Sequence, residues 1–207
     1  MKNKNNIIGV VGAGTMGNGI AHVFALNSYD VILVDLNDSI LNDALKTINS
    51  NMLRQVKKEA ILQTDMNDAL DRITISNEIL DLQDADIVIE AIKEDLNIKG
   101  NLFKQLDLIC KSDTILASNT SSISINKLAD FTNRKDKVIG MHFMNPVPIM
   151  KLIELIKGAK TSDITINYIT EISKDINKIP VECNDSPGFV SNRILMPMIN
   201  EAAHCYS

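Results

Sequence analysis

His142 and Glu154 are the side chains in this sequence best suited to moving a proton. His142 follows an apolar run at 138–141 and precedes a rigid turn, Asn145-Pro146-Val147-Pro148. The chain has three histidines, and the other two, His22 and His204, fall in the first helical pattern and near the end. Imidazole is the one side chain that exchanges a proton near neutral pH without being perturbed. Glu154 stands inside an otherwise apolar run, Lys151-Leu152-Ile153-Glu154-Leu155-Ile156. A carboxylate buried there needs a partner. Facing His142, it would fix the ring tautomer and raise its basicity; facing solvent from an edge strand, it would do neither, and periodicity alone leaves both open. Two further polar candidates are Ser121, in Ala117-Ser118-Asn119-Thr120-Ser121-Ser122, and Asn192, just after Pro187-Gly188. These residues belong to the regions where an α/β sheet builds its site, around the carboxyl ends of its strands.

A second constellation lies at the start. The apolar run Ile7-Ile8-Gly9-Val10-Val11 leads directly into Gly12-Ala13-Gly14-Thr15-Met16-Gly17, then into an amphipathic helical pattern. A second apolar run, Val31-Ile32-Leu33-Val34, ends in Asp35. This is the order a dinucleotide site requires. Gly12 permits the tight turn, Gly14 lets a pyrophosphate approach the backbone, and Gly17 allows close helix–strand packing. The helix start offers unpaired amides and a positive dipole end to phosphates. Asp35 can accept both ribose hydroxyls and would repel a 2′-phosphate, so the pattern favours NAD over NADP.

The elements that position these residues alternate. Strands are expected near 7–11, 31–35, 73–76, 87–90, 114–117, 138–141, 151–156 and 180–183, and helices near 16–27, 39–62, 98–110 and 163–177, with a short one near 125–129. Such alternation predicts an α/β, Rossmann-type fold: a mainly parallel sheet with helices on both faces. The 39–62 pattern exceeds a usual sheet-covering helix, so part of it is expected to project. Its end carries Arg54, Lys57 and Lys58, a local basic cluster. After Pro187-Gly188 another helical pattern begins and is still running at the last residue, with Pro197 expected to kink or split it and apolar residues around much of its circumference. It is expected to meet another subunit or a further part of a longer protein.

Composition narrows the classes. The net charge of −5 argues against general nucleic-acid binding. Cys110, Cys183 and Cys205 are widely spaced, form no metal-ligand pattern and suit a reducing cytoplasm. The apolar stretch 7–26, after the basic Met1-Lys2-Asn3-Lys4, is read as neither signal peptide nor membrane span: Gly12, Gly14, Gly17 and Gly19, with Asn18 and His22, interrupt it.

The longer motifs carry a family resemblance. Gly12-Ala13-Gly14-Thr15-Met16-Gly17, Glu90-Ala91-Ile92, Ser118-Asn119-Thr120-Ser121-Ser122, His142-Phe143-Met144-Asn145-Pro146-Val147-Pro148-Ile149-Met150-Lys151-Leu152 and Asp185-Ser186-Pro187-Gly188-Phe189-Val190-Ser191-Asn192-Arg193 occur in this order. In them the chain resembles the short-chain (S)-3-hydroxyacyl-CoA dehydrogenases, most closely the bacterial 3-hydroxybutyryl-CoA dehydrogenases. The resemblance implies hydride exchange between NAD and a 3-hydroxyacyl-CoA, in butyrate-type fermentation or fatty-acid oxidation. It makes His142 the base, pairs Glu154 with it, and has Ser121 and Asn192 hold the substrate oxygen. Gly12, Gly14, Thr15, Met16 and Gly17, with Asp35, Glu94, Lys99, Ser121 and Asn145, become NAD contacts. Lys58 takes the place of a basic contact to the CoA phosphates, and Asn51 stands where the family often has a serine that touches CoA. The family continues into an all-helical domain that builds a homodimer interface and one wall of the cleft. The implied layout is therefore an NAD-binding domain over 1–186 and, over 187–207, the first helix of that second domain. Two other readings stay open: an NAD-binding piece with little catalysis, and a related hydroxyacid dehydrogenase whose substrate carries no CoA.

Overall fold

The computed structural model describes residues 6–206; the basic start, Met1-Lys2-Asn3-Lys4, and Ser207 lie outside that range. Eight strands, β1 (Ile7–Val11), β2 (Asp30–Val34), β3 (Ile73–Ser76), β4 (Ile87–Glu90), β5 (Ile115–Ser118), β6 (Val138–Phe143), β7 (Leu152–Lys157) and β8 (Ile179–Asn184), form one sheet in the order β3-β2-β1-β4-β5-β6-β7-β8. All neighbours are parallel except β6 and β7. The helices are α1 (Thr15–Leu26), α2 (Asp38–Lys57), α3 (Gln63–Asp71), α4 (Leu96–Ile109), α5 (Ile125–Ala129), α6 (Asp163–Asp175) and α7 (Ser191–Tyr206).

The strands are apolar runs rather than alternating ones because both faces of the sheet are covered. On one face Ile20 and Phe24 of α1, Leu41 and Ile48 of α2, Met66 of α3 and Ile169 of α6 pack on Val10, Leu33 and Ile89. On the other, Leu102 and Phe103 of α4 and Leu128 of α5 pack on Val11, Val88 and Leu116. Each fully buried Leu, Ile or Phe contributes about 1.5–3 kcal/mol, so the sheet is a rigid platform. The strand order reverses between β1 and β4. β1 feeds α1 on the first face and β4 feeds α4 on the second, which opens a crevice at their carboxyl ends.

Three expectations are corrected. The helix expected over 39–62 is α2, which stops early at Lys57, and a further helix that was not expected, α3, follows it and packs back beside α1 and α2. The break is a helix-ending motif with Glu59 at φ +56, the Ala60 amide bonded to Gln55 O and the Glu59 amide to Val56 O. That position usually holds glycine; a glutamate there leaves no sequence signal. Second, His142 does not follow its strand. β6 runs on to Phe143, so His142 lies within it, buried on a sheet ladder. Third, Pro197 does not split the last helix: α7 runs from Ser191 to Tyr206 with Pro197 inside it, and in line with the expectation that it meets a partner it buries no residue, with Ile194, Leu195, Met196, Met198 and Ile199 all exposed. Among the described residues no helix is long and apolar enough to cross a membrane.

His22 illustrates what burial on α1 does to a titratable group. It is fully buried, its Nε2 lies 3.3 Å from Gln55 Oε1, and its Nδ1 has no hydrogen-bond partner. Burial lowers its pKa to about 4, helped by the nearby Lys178 charge and opposed by the Gln55 contact. The folded chain therefore protonates His22 only near pH 4, whereas the unfolded chain does so near 6.5. Acidification through that window favours the unfolded chain, by about 2 kcal/mol between pH 6.5 and 5. A His22→Gln variant, followed by thermal melts at both pH values, should lose correspondingly less stability on acidification than the unmodified protein. Equal losses would assign no such linkage to His22.

Candidate active site

The β6–β7 ladder places His142 directly opposite Glu154. Their side chains meet on one face, with His142 Nδ1 2.7 Å from Glu154 Oε2 and the two side chains 10% and 2% exposed. Burial works against the Glu154 charge, but hydrogen bonds from His142 and from the amide and hydroxyl of Ser191 outweigh it and hold the carboxyl below its ordinary range. An ionised carboxylate can only accept, so Nδ1 must carry the hydrogen, and in the neutral ring Nε2 is then left with a lone pair. Phe189, buried, closes the other side of the imidazole at 5.9 Å between ring centroids.

The ring borders a cavity of about 420 Å³ that also draws in Met16, Glu94, Lys99, Ser121, Asn145 and Asn192. Seven of the residues singled out from sequence thus line one space, with Glu154 behind His142. Asn192 Nδ2 donates to Ser121 O at 3.3 Å, tying the start of α7 to the serine loop. Asn51 and Lys58 do not line this cavity. They belong to exposed or half-exposed turns at the end of α2, where Arg54 Nη2 donates to Asn51 Oδ1.

The serine loop is held by a buried polar ring whose key member, Glu90, the sequence reading quoted in a motif but assigned no role. Glu90 is fully buried at the end of β4 and pairs with Lys99, itself buried at 1% exposure. Its Oε1 also accepts the Ile92 amide, and its Oε2 accepts Ser118 Oγ at 2.6 Å. Ser118 Oγ takes the Thr120 amide, Thr120 Oγ1 donates to Glu94 Oε1, and Glu94 Oε2 returns to Lys99 at 3.2 Å. Burial pushes the Glu90 carboxyl up, with Lys99, Ser118 and the Ile92 amide pulling it back. For Glu94 burial is outweighed by Thr120, Lys99 and Ser122, and its carboxyl lies low. Asn119, also without an assigned role beforehand, accepts the Phe143 amide through Oδ1 and so fastens this loop to the end of β6. An acid closing an apolar strand, the signal that exposed Asp35, was available for Glu90 as well.

The dinucleotide turn fits its cofactor. Gly12 has φ +99, and a Cβ there would meet the Ala91 carbonyl oxygen at 2.7 Å. A Cβ on Gly14 would meet nothing within 4 Å, which leaves an open face over the start of α1. α1 has no side-chain cap and no acid in its first turn, so its amides and positive end are available to an anion. Asp35 lies at the end of β2 and accepts the Ala13 amide at 2.8 Å, which holds its carboxylate beside the turn. NAD supplies the hydride acceptor or donor when bound.

Together these features define a Rossmann-type, NAD-dependent oxidoreductase with a histidine–carboxylate pair. The NAD-binding-domain model of 3-hydroxyacyl-CoA dehydrogenase matches residues 7–186. A 3-hydroxybutyryl-CoA dehydrogenase of Clostridioides difficile is 48% identical over 97% of this chain and 71% of its own length. The mitochondrial hydroxyacyl-coenzyme A dehydrogenase of Sus scrofa is 41% identical over 95% of this chain and 65% of its own. The crystal structure of an (S)-3-hydroxybutyryl-CoA dehydrogenase from Ralstonia eutropha superposes with a TM-score of 0.93 at 49% identity, covering 95% of this chain and 70% of that one. The chain belongs to the 3-hydroxyacyl-CoA dehydrogenase family.

Proposed function

We propose that the chain interconverts (S)-3-hydroxybutyryl-CoA and acetoacetyl-CoA with NAD. The observation that carries this reading is the buried His142–Glu154 pair, whose free Nε2 borders the same cavity as Ser121, Asn192 and the Met16 edge of the dinucleotide turn. In oxidation, carbon 3 gives its hydride to the nicotinamide and His142 Nε2 takes the hydroxyl proton. In reduction the proton returns from the imidazolium to the ketone oxygen. Glu154 keeps the tautomer and stabilises the imidazolium. Ser121 and Asn192 hold the substrate oxygen, so that most of the acceleration comes from positioning. Glu94, Lys99 and Asn145 line the nicotinamide end, and Asp35 the ribose end. The exposed Lys58 at the end of α2, with Asn51 about two turns before it in the same helix, takes the CoA phosphates outside the cavity. The four-carbon substrate is supported by the relatives of Clostridioides difficile and Ralstonia eutropha, which carry that name.

The test is NADH consumption on adding acetoacetyl-CoA, with NADPH in parallel. The expected result is turnover with NADH favoured at least roughly tenfold, because the Asp35 carboxylate repels a 2′-phosphate. Turnover of a small hydroxyacid, unaffected by competing free CoA, would replace the substrate assignment. NADH binding without any turnover would leave the chain an NAD-binding unit.

A further inference from the structure

We propose that Ser191 is a positioning residue for the acid–base pair, holding one oxygen of Glu154 so that the other stays on His142. The inference rests on reading His142 as the base. The two oxygens of Glu154 are divided between tasks. Oε2 meets His142 Nδ1 at 2.7 Å, while Oε1 accepts the Ser191 amide at 2.8 Å, the Ser191 hydroxyl at 3.0 Å and the Val190 amide at 3.2 Å. Three donors on one oxygen leave the carboxylate a single orientation.

The backbone is shaped for this. Gly188 has φ +75 and Phe189 φ +50. A left-handed residue entering a helical turn aims successive amides at one point, which makes an anion-binding concavity. Phe189, a bulky residue in that rarely adopted region, is kept there by burial of its ring against His142 and by its amide on Ser186 O at 2.9 Å. The same segment starts α7 and carries Asn192, so one carboxylate registers the base against the helix that borders the substrate space.

Among the three donors, the Ser191 hydroxyl alone is removable without altering the backbone. Without it, more of the carboxylate charge falls on the His142 ring and less is spent on α7. The imidazolium is then favoured, and the carboxylate is freer to turn. The other groups facing the pair are Cys183 from β8 and, across the cavity, Glu94 and Lys99. Burial, with Glu154, Glu182 and Asp185, pushes the Cys183 thiol up to about 11, so it stays neutral and does not compete as a charge.

The test is a ring-¹⁵N titration of the full chain by NMR, with the His142 signal identified in a His142→Gln sample. In Ser191→Ala the His142 midpoint should move up by about 0.3–0.5 pH unit. The kcat for acetoacetyl-CoA reduction should fall roughly 3- to 10-fold, with the NADH KM within about twofold. Ser191→Thr, which keeps the hydroxyl, should restore both. A midpoint in Ser191→Ala that stays within about 0.1 unit of the unmodified chain overturns the proposal, as does a Thr variant that behaves like Ala. If the Ala protein does not fold, Ser191→Gly is titrated against the same criteria. Failure of the His142 reading would show differently, as turnover that survives removal of the histidine.

Discussion

Replacing His142 with alanine lowers turnover of acetoacetyl-CoA by about 10³-fold while NADH binding stays within about twofold. The first figure follows from the loss of a positioned proton donor and acceptor, which contributes typically 10²–10⁴. Nothing else in the cavity replaces it. Glu94 is committed to Thr120 and to the Ser121 and Ser122 amides, and Lys99 to Glu90 and Glu94. The second figure follows from where the dinucleotide is held. In the proposed binding mode the turn Gly12–Gly17 and Asp35 make the phosphate and ribose contacts, and His142 Nδ1 bonds to Glu154 instead. Steady-state assays with a parallel NADH fluorescence titration separate the two effects. A variant that keeps more than a tenth of the turnover would remove His142 from the mechanism.

Gly17→Ala should abolish measurable NADH binding, lowering affinity by about 100-fold or more, or else should unfold the domain. A Cβ at Gly17 would lie 1.6 Å from the Gly12 carbonyl oxygen and 2.8 Å from its carbon. Both are backbone atoms, and Gly12 cannot swing away. Its amide is bonded to Val34 O at 2.8 Å, and its own Cβ position faces the Ala91 carbonyl. Relief requires the helix start to leave the strand, at a cost of about 3 kcal/mol or more. Gly14→Ala is the control: its Cβ meets no protein atom, so the melting temperature should hold while NADH weakens about tenfold, because the methyl occupies the approach to the backbone. Titration and thermal melts of both proteins decide it. A Gly17→Ala protein with unchanged affinity and melting temperature would refute the packing argument.

What the sequence made legible was local. The glycine turn, its strand, its helix and Asp35 are all contiguous or one supersecondary unit apart, so spacing alone carries them. The His142–Glu154 partnership is different. The two are joined by the antiparallel register of β6 on β7, and a strand pattern shows which residues alternate but not which residue of a neighbour lies opposite. The end of α2 was hidden because Glu59 does the work usually left to glycine. Glu90 escaped because a buried acid looks the same in sequence whether it closes a strand or completes a polar ring; its side-chain partners Lys99 and Ser118 come from two other segments, α4 and the end of β5. Ser191 escaped because its hydroxyl meets Glu154 only once the fold has brought the start of α7 against β7.

The register between β6 and β7 also has a kinetic side. Catalytic pairs carried on loops come apart whenever their loops fluctuate, on nanosecond-to-microsecond timescales. Here both members sit on adjacent strands whose residues are buried at nearly every position. The backbones that carry His142 and Glu154 can part only when the sheet itself opens, an event as rare as unfolding of the core. The segment between the two strands is tied down as well: Val147 is buried in the core, and Lys178 Nζ donates to the carbonyl oxygens of Val147 and Met150.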